Sequence, residues 1–452
     1  MDGKMDSEIK SNINATINIL NTWIPMKIKY SNIPGINICI AHNGKSLYTK
    51  SFGFSDIEKQ IKLNKNSLFR IASHSKMFTA VGIMQLQEQG KLKIDDCVQD
   101  YLPWFKGKNE TSNIKNITIR QLLSHQSGIF RDGNSHHWSN DNFPKNIEST
   151  ISSNSIVFEN GTTFKYSNHA YATLGGIIEK ISREKYTNYM SKHILKPLGM
   201  KHTFPDLPDE IPSNLSNGYE RIIPGKDHRE IFTHSKTYAY ASATGFLSNS
   251  NDIAKFLSSL SLESKTSVIN RESKKEMIKS QTVTDRKNGE IGYGLGLDTE
   301  SYNNKLIVGH GGGYPGFITR SRTCMEDNIQ VIVLTNTNSN LASILNDAIF
   351  DMIYKINTKI FEGAEINNYY NGIYRGRWGD ITISNIGSKL VSFSPETNNP
   401  LTDWSILKNT EGTQFINTDK LGYGSPGEKI MFDKQKSPNS ITTSSGKLIK
   451  VQ

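Results

Sequence analysis

Residues 69–90 read FRIASHSKMFTAVGIMQLQEQG, and this stretch carries both a structural and a chemical signal. From Met77 the sequence is largely apolar up to Gly90, and glycine commonly follows the last turn of a helix. Ser73 and Lys76 stand three positions apart, so both side chains are expected on one face at the start of this helix. The stretch therefore predicts a buried helix with a serine and a lysine at its N-terminal end.

A serine and a lysine in this position suit nucleophilic catalysis. A serine hydroxyl is a weak nucleophile until a base accepts its proton. A lysine in an apolar site at a helix N-terminus tends to lose its proton, because burial and the helix dipole both disfavour the ammonium. The first N–H groups of the helix can also stabilise an oxyanion.

The Ser-x-x-Lys pattern is weak by itself, since a serine helix cap with a solvated lysine is its ordinary use. The same pattern recurs at Ser7, Ser112, Ser182, Ser405 and Ser444. A second segment adds weight: Tyr166-Ser167-Asn168 precedes residues with helical periodicity. In an extended segment Tyr166 and Asn168 would face the same side, where a phenol can move protons and an amide can bind a substrate amide. The alternative is a packed tyrosine and an asparagine helix cap.

A third segment, His310-Gly311-Gly312-Gly313, follows the short apolar strand at 306–308. Glycines at a strand edge allow a ligand to approach the backbone closely. The Gly313 N–H is then a candidate oxyanion donor. The alternative is a glycine-rich hairpin turn.

Strand-like runs lie near both ends of the first 355 or so residues. Residues 36–41 and 46–53 are joined by Asn43-Gly44, a strong hairpin signal. Three further runs occupy 305–309, 317–323 and 330–335, and amphipathic helices are expected at 7–24 and 341–353. Residues 70–290 look mainly helical. We predict an α/β (α+β) fold, in which an antiparallel sheet is flanked by the terminal helices and carries a large helical insertion.

The residue pattern changes after residue 357, where short β-like runs alternate with Gly and Pro turns. We predict a first domain at 1–356, a linker at 357–364 and a small all-β domain, barrel or sandwich, at 365–452.

The three chemical segments, taken in order, resemble the serine β-lactamase and penicillin-binding-protein superfamily, which uses Ser-x-x-Lys, Ser-Asp-Asn and Lys-Thr-Gly. Tyr-Ser-Asn and His-Gly-Gly in the second and third places resemble the class C branch, with its D-aminopeptidase, D-alanyl-D-alanine carboxypeptidase and esterase relatives. Further matching stretches are Leu122–Gly128, Pro197–Met200 and Gly245–Ser248. The resemblance covers roughly residues 15 to 355 and implies a β-lactamase-like fold for the first domain.

The resemblance implies roles for the residues quoted above. Ser73 would form an acyl-enzyme. Lys76 and Tyr166 would act as general base and general acid, and which of them takes which role stays open. The resemblance implies no metal or cofactor. Asn168 would bind the substrate amide. The Ser73 and Gly313 N–H groups would form the oxyanion hole, with Gly311 and Gly312 beside the substrate.

His310 departs from the family pattern, which has a lysine able to hold a substrate carboxylate. Histidine is largely neutral at pH 7 if its pKa is ordinary. We therefore expect weak β-lactamase activity and a preference for D-peptides or esters. The expected function is a serine hydrolase, namely a D-amino-acid-specific peptidase, carboxypeptidase or esterase, with a class C-like β-lactamase or a penicillin-acylated sensor without turnover as alternatives.

Composition narrows the expected partners. The net charge of +10 is spread along the chain, without the basic and aromatic clusters of nucleic-acid-binding proteins. No apolar run approaches a membrane span, and the N-terminus lacks the apolar core of a secretion signal. We expect a small-molecule or peptide substrate, no nucleic acid, and a cytoplasmic protein or, if a signal was removed, an envelope one. The sequence indicates no oligomeric state. The loop at 130–155, with His136, His137 and Trp138, either lines the pocket or is ordinary surface.

Overall fold

The structure is a computed structural model. It describes residues 5–106, 113–133, 136–150, 156–223, 225–226, 228–284, 291–420 and 425–451. Backbone contacts divide the chain into two compact units, the first with Met1–Ile33 and Ser343–Gln452 and the second with Pro34–Ala342. All residues predicted to act on a substrate lie in the second unit. The domain boundary at 357–364 stays a prediction.

The described residues form α-helices and β-strands that alternate irregularly along the chain. The helices are α1 (Ser7–Tyr30), α2 (Ser75–Glu88), α3 (Val98–Tyr101), α4 (Ile119–Leu123), α5 (His137–Asn140), α6 (Asn168–Ser182), α7 (Tyr186–Met190), α8 (Ser250–Ser259), α9 (Arg271–Ile278), α10 (Leu341–Lys355) and α11 (Pro400–Asp403). The strands of the second unit are β1 (Gly35–His42), β2 (Lys45–Asp56), β3 (Ile61–Lys62), β4 (Phe69–Arg70), β5 (Gly218–Tyr219), β6 (Ile231–Phe232), β7 (Leu247–Ser248), β8 (Thr282–Val283), β9 (Ile291–Tyr293), β10 (Asp298–Tyr302), β11 (Lys305–Tyr314), β12 (Phe317–Cys324) and β13 (Ile329–Thr335). The strands of the first unit are β14 (Gly372–Gly376), β15 (Gly379–Ile386), β16 (Lys389–Phe393), β17 (Ser405–Glu411), β18 (Gln414–Asn417), β19 (Lys429–Phe432), β20 (Ser440–Thr443) and β21 (Gly446–Lys450).

The second unit contains an antiparallel sheet of nine strands in the order β3-β2-β1-β13-β12-β11-β10-β9-β8. The predicted hairpin between β1 and β2 is confirmed. Asn43 and Gly44 have φ angles of 51° and 70°, as a two-residue turn of the primed type needs. The centre of the sheet joins distant parts of the chain, because Ile36 of β1 pairs with Thr335 of β13.

Between the early and late strands lies the predicted helical region. Its main helix is α2, which is buried on nearly all sides from Ser75 to Leu86. The ring of Phe78 on this helix lies 4.5 Å from Phe246 and 3.9 Å from Phe256, centroid to centroid. A helix that is apolar all round belongs in a core. The helix α2 is therefore held in place by packing against several neighbouring segments.

The first unit contains a closed barrel, β14 to β21 in chain order, so the barrel alternative for the C-terminal region is confirmed. Its interior is filled by aromatic and aliphatic side chains, including Tyr374, Phe415 and Phe432. The helix α1 packs here, since the Trp23 indole N–H donates to the carbonyl of Pro395 at 3.1 Å.

The N-terminal helix is longer than predicted. The sequence pattern ended it at Ile24, whereas α1 continues through Pro25 to Tyr30. Met26 and Ile28 remain buried, so packing against neighbouring side chains outweighs the hydrogen bond that proline removes. Within the described part of the chain, no helix has the length and apolar character needed to cross a membrane.

Candidate active site

Ser73 lies in a short 3-10 turn, Ala72–His74, that leads from β4 into α2. The residue before it, Ala72, has a φ of 47°, in the left-handed region that a β-carbon disfavours. Such backbone costs about 1–3 kcal/mol and is concentrated at functional sites, where the surroundings hold it in place. The predicted helix end is confirmed, since Gly90 follows α2 with a φ of 67°.

Lys76 is completely buried, and its side-chain nitrogen contacts three oxygen atoms. Its Nζ lies 3.2 Å from the Ser73 Oγ, 2.7 Å from the Asn168 Oδ1 and 2.8 Å from the carbonyl oxygen of Ala243. Burial lowers the pKa of Lys76 well below its usual range. A neutral amine has two hydrogens, which match the two carbonyl-type acceptors. In the structure Nζ donates to the Ser73 Oγ, and an amine that has lost a proton could instead accept the Ser73 hydrogen with its lone pair.

The Tyr166 side chain lies within hydrogen-bonding distance of Ser73. Burial raises the pKa of its phenol, and a hydrogen bond with Ser73 opposes that rise. The Lys76 Nζ lies 4.8 Å from the centre of the Tyr166 ring, and the His125 ring packs against it with centroids 4.2 Å apart. The phenol is therefore protonated at neutral pH and can donate a hydrogen bond.

The segment after Tyr166 is extended at Ser167, which has φ −140° and ψ 117°, and becomes helical at Asn168. Ser167 caps α6, because its Oγ accepts the N–H of Ala170 at 3.0 Å, and Asn168 is the first residue of the helix. The alternative in which Asn168 itself is the cap is therefore wrong. Asn168 is only 2% exposed, and its Nδ2 donates to the Asp132 Oδ1 at 2.6 Å.

Asp132 is a site residue that the sequence analysis missed. Its Oδ1 accepts from Asn168 and, at 2.9 Å, from the Trp138 indole, while the Arg131 Nε lies 3.1 Å from its Oδ2. The only sequence signal was its place in the loop at 130–155, for which pocket lining and ordinary surface were both open. Part of that loop, 134–135 and 151–155, lies outside the described residues.

The glycine segment forms part of a strand, since β11 continues to Tyr314 and the turn follows at Pro315–Gly316. The hairpin turn that the sequence offered as the alternative lies at the end of this glycine-rich segment, at Pro315–Gly316, whereas His310 to Gly313 lie in the strand. A β-carbon on Gly312 would lie 2.3 Å from the carbonyl oxygen of Ile71, directly before the Ser73 turn. Only glycine allows this approach of β11 to the nucleophile. Gly313, one residue on, is exposed and pairs with Ile318.

His310 is buried, at 4% exposure, and both its ring nitrogens have partners. Its Nε2 lies 3.0 Å from the Tyr293 hydroxyl, and its Nδ1 lies 2.5 Å from the carbonyl oxygen of Gly311. Since a carbonyl can only accept, Nδ1 carries the hydrogen. Burial lowers the pKa of His310 to about 4, so the ring is neutral at pH 7. It does not supply the cation that a lysine supplies elsewhere in this position.

A cavity of about 370 Å³ opens beside these groups. Its walls are formed by residues of β11, by residues of the loop at 130–155 and by apolar side chains. It is lined by Arg131, Asp132, Trp138, Phe232, Gly313, Tyr314, Pro315, Ile318 and Asn338. Asp132 and Gly313 connect the cavity to the groups around Ser73.

The Beta-lactamase family model matches residues 23–352 of this chain. Protein flp of Staphylococcus aureus (strain MW2) is 36% identical over 190 residues, which are 41% of this chain and 37% of that protein. The match thus spans little more than a third of the length of that relative.

Two solved structures share the fold. The octameric penicillin-binding protein homologue from Pyrococcus abyssi has a TM-score of 0.66 at 24% identity, covering 96% of this chain and all of that one. The D-stereospecific amidohydrolase from Streptomyces sp. has a TM-score of 0.62 at 21% identity, covering 76% and 98%. The predicted fold class, a β-lactamase-like α/β fold with a separate small β domain, is confirmed. The chain belongs to the Beta-lactamase family.

Proposed function

We propose that this chain is a serine hydrolase that forms an acyl-enzyme on Ser73 and acts on D-amino-acid peptides, amides or esters. The observation that supports this best is the 3.2 Å contact between the Lys76 Nζ and the Ser73 Oγ, in a place where burial lowers the pKa of the amine. A neutral amine beside a serine hydroxyl is the arrangement that nucleophilic catalysis needs.

In the first half of the reaction the Ser73 Oγ attacks the substrate carbonyl carbon and its proton passes to Lys76. The carbonyl oxygen becomes an oxyanion, for which the N–H groups of Ser73 and Gly313 are the proposed donors. When the C–N or C–O bond to the leaving group breaks, the leaving group takes a proton through Tyr166, which Lys76 replenishes. Water then attacks the ester on Ser73 by the same path in reverse and releases the acid.

Two features support D-amino-acid substrates over β-lactams. The buried, neutral His310 offers no cation to the carboxylate that penicillins carry. One structural neighbour is named as a D-stereospecific amidohydrolase. We therefore expect slow turnover of nitrocefin and faster turnover of D-alanyl p-nitroanilide and simple p-nitrophenyl esters.

A fluorophosphonate probe followed by mass spectrometry tests the nucleophile. We expect one adduct, on Ser73, and none in Ser73→Ala, which should also lose hydrolysis of p-nitrophenyl acetate. A Ser73→Ala protein that keeps full activity would overturn the proposal. A penicillin adduct that forms fast and never hydrolyses, without turnover of any ester, would indicate a sensor. Efficient nitrocefin turnover would indicate a β-lactamase.

A further inference from the structure

The amide of Asn168 is turned into the protein rather than toward the cavity. Its Oδ1 accepts from Lys76 and its Nδ2 donates to Asp132, and the residue is almost fully buried. The cavity wall at this position is formed by Asp132. The polar group next to the catalytic residues is therefore a carboxylate, which accepts hydrogen bonds, and not an amide N–H, which donates them.

Within the part of the chain that the structure describes, Asp132 accepts three side-chain hydrogen bonds. Two donors reach its Oδ1, from Asn168 and Trp138, and one reaches its Oδ2, from Arg131, while the His137 Nε2 lies 3.9 Å from Oδ1. These hydrogen bonds fill three of the about four lone-pair positions of a carboxylate, and the remaining position is on Oδ2. The side chain is 21% exposed, which makes it accessible from the cavity yet partly shielded from water.

The charges around Asp132 favour a cationic ligand group. Arg131 is 65% exposed, so water screens its attraction to Asp132. Burial lowers the pKa of Lys76 well below its usual range and that of His310 to about 4, so the His310 ring carries no charge at pH 7. Arg131 and Asp132 are the charged residues among those that line the cavity, and Asp132 is the one that is partly shielded from water.

The position of Asp132 matches one group of the substrate. Only Lys76 and Asn168 stand between it and the Ser73 Oγ, in a chain of contacts of 3.2, 2.7 and 2.6 Å. In an aminoacyl substrate the α-ammonium is attached to the carbon next to the attacked carbonyl. A group that binds this ammonium must therefore lie near the nucleophile, and Asp132 is linked to Ser73 by these three contacts and lines the cavity.

We infer that Asp132 binds the α-ammonium of the substrate, and that the enzyme selects aminoacyl compounds with a free amino group over N-acylated ones. This inference rests on the proposed function. It narrows the substrate class to amino-terminal D-residues, which an aminopeptidase or amino-acid amidase removes. An N-acylated peptide, such as a carboxypeptidase would cleave, brings an uncharged N–H and a carbonyl to the same place.

The test compares D-alanine p-nitroanilide with N-acetyl-D-alanine p-nitroanilide, which share the leaving group. We expect wild-type kcat/KM to favour the free amine at least tenfold. Asp132→Asn should reduce this preference at least tenfold, mainly through KM for the free amine. The control is Glu148→Gln, an exposed residue of the same loop that loses the same charge outside the cavity. It should leave the preference unchanged.

A purely positioning role for Asp132 would slow both substrates equally, and that outcome would overturn the inference, as would a wild-type enzyme that prefers the acetylated substrate. A second measurement needs no variant. KM for the free amine should rise above pH ~8, where an α-amino group loses its proton, while KM for the acetylated substrate should not. Hydrolysis of p-nitrophenyl acetate that depends on Ser73 reports on the proposed function separately, because that ester has no amino group.

Discussion

Replacing Gly312 with alanine puts a methyl group between the strand β11 and the turn that holds Ser73. The added β-carbon would lie 2.3 Å from the carbonyl oxygen of Ile71 and 2.4 Å from the Thr319 Oγ1. Ordinary contact distances are about 3.5 Å, so the strand and the turn must separate by about 1 Å. The Ile71 carbonyl also accepts from His74, so the turn that carries Ser73 moves with it.

Two consequences are expected from Gly312→Ala. Overpacking of this kind costs about 1–3 kcal/mol of stability, so the thermal unfolding midpoint should fall by several degrees. A displacement of about 1 Å between a nucleophile and its oxyanion donors costs about 100-fold in rate. The assays are thermal unfolding followed by circular dichroism, and kcat/KM with p-nitrophenyl acetate.

Gly311→Ala is the matched control for stability. A β-carbon there would have the Arg320 Nη1, at 3.4 Å, as its nearest neighbour, which is an ordinary van der Waals contact that requires no displacement. Its unfolding midpoint should stay close to that of the wild type. If Gly312→Ala keeps its midpoint and stays within threefold of wild-type kcat/KM, or if both variants lose the same stability, the close approach of β11 to the Ser73 turn is not what holds the site.

Three further predictions concern the groups around Ser73. Lys76→Met keeps the bulk of the side chain and removes the base, so acylation by p-nitrophenyl acetate should slow by about 10²–10⁴-fold in stopped-flow or steady-state assays; a smaller loss would transfer the role of base to another group. The negative charge of Asp132 raises the pKa of Lys76 against the larger effect of burial, so Asp132→Asn should lower that pKa further. Because the reaction needs neutral Lys76, the acid limb of the pH profile of kcat/KM for p-nitrophenyl acetate should move to lower pH, and a move to higher pH would contradict this. Ser167→Ala removes the cap of α6 and should cost about 1 kcal/mol in urea unfolding, with an unchanged midpoint as the contrary result.

Local signals in the sequence were sufficient to predict the turn that carries Ser73 and the helix that follows it. The apolar run after Ser73 and the glycine at 90 define α2, and the three-residue spacing to Lys76 follows from helix geometry alone. The hairpin at Asn43-Gly44 was also predictable, because its backbone angles suit few other residues. In each case the residues that interact are close in the chain.

The other site features depend on contacts between distant residues. Asp132 reaches Asn168 across 36 positions, and no periodicity relates the two. Glycine has a low propensity for strands, and the requirement for Gly312 in β11 becomes clear only from the turn at Ile71, which packs against it. The length of α1 was underestimated for the same reason, since the packing of Met26 and Ile28 is not visible in the sequence.

The pairing of β1 with β13 also determines when the sheet can form. Ile36 can pair with Thr335 only after that residue has been made and has folded back to it. A growing or refolding chain therefore has to close a loop of almost the whole second unit before β1 and β13 can pair. Contacts of such long range slow folding, because the entropy of loop closure is lost before any pairing repays it. Until then β1, buried along nearly its entire length in the finished sheet, leaves one edge open to the wrong partner. Aggregation during refolding should therefore begin from the β1–β2 hairpin, well before any damage to the catalytic turn.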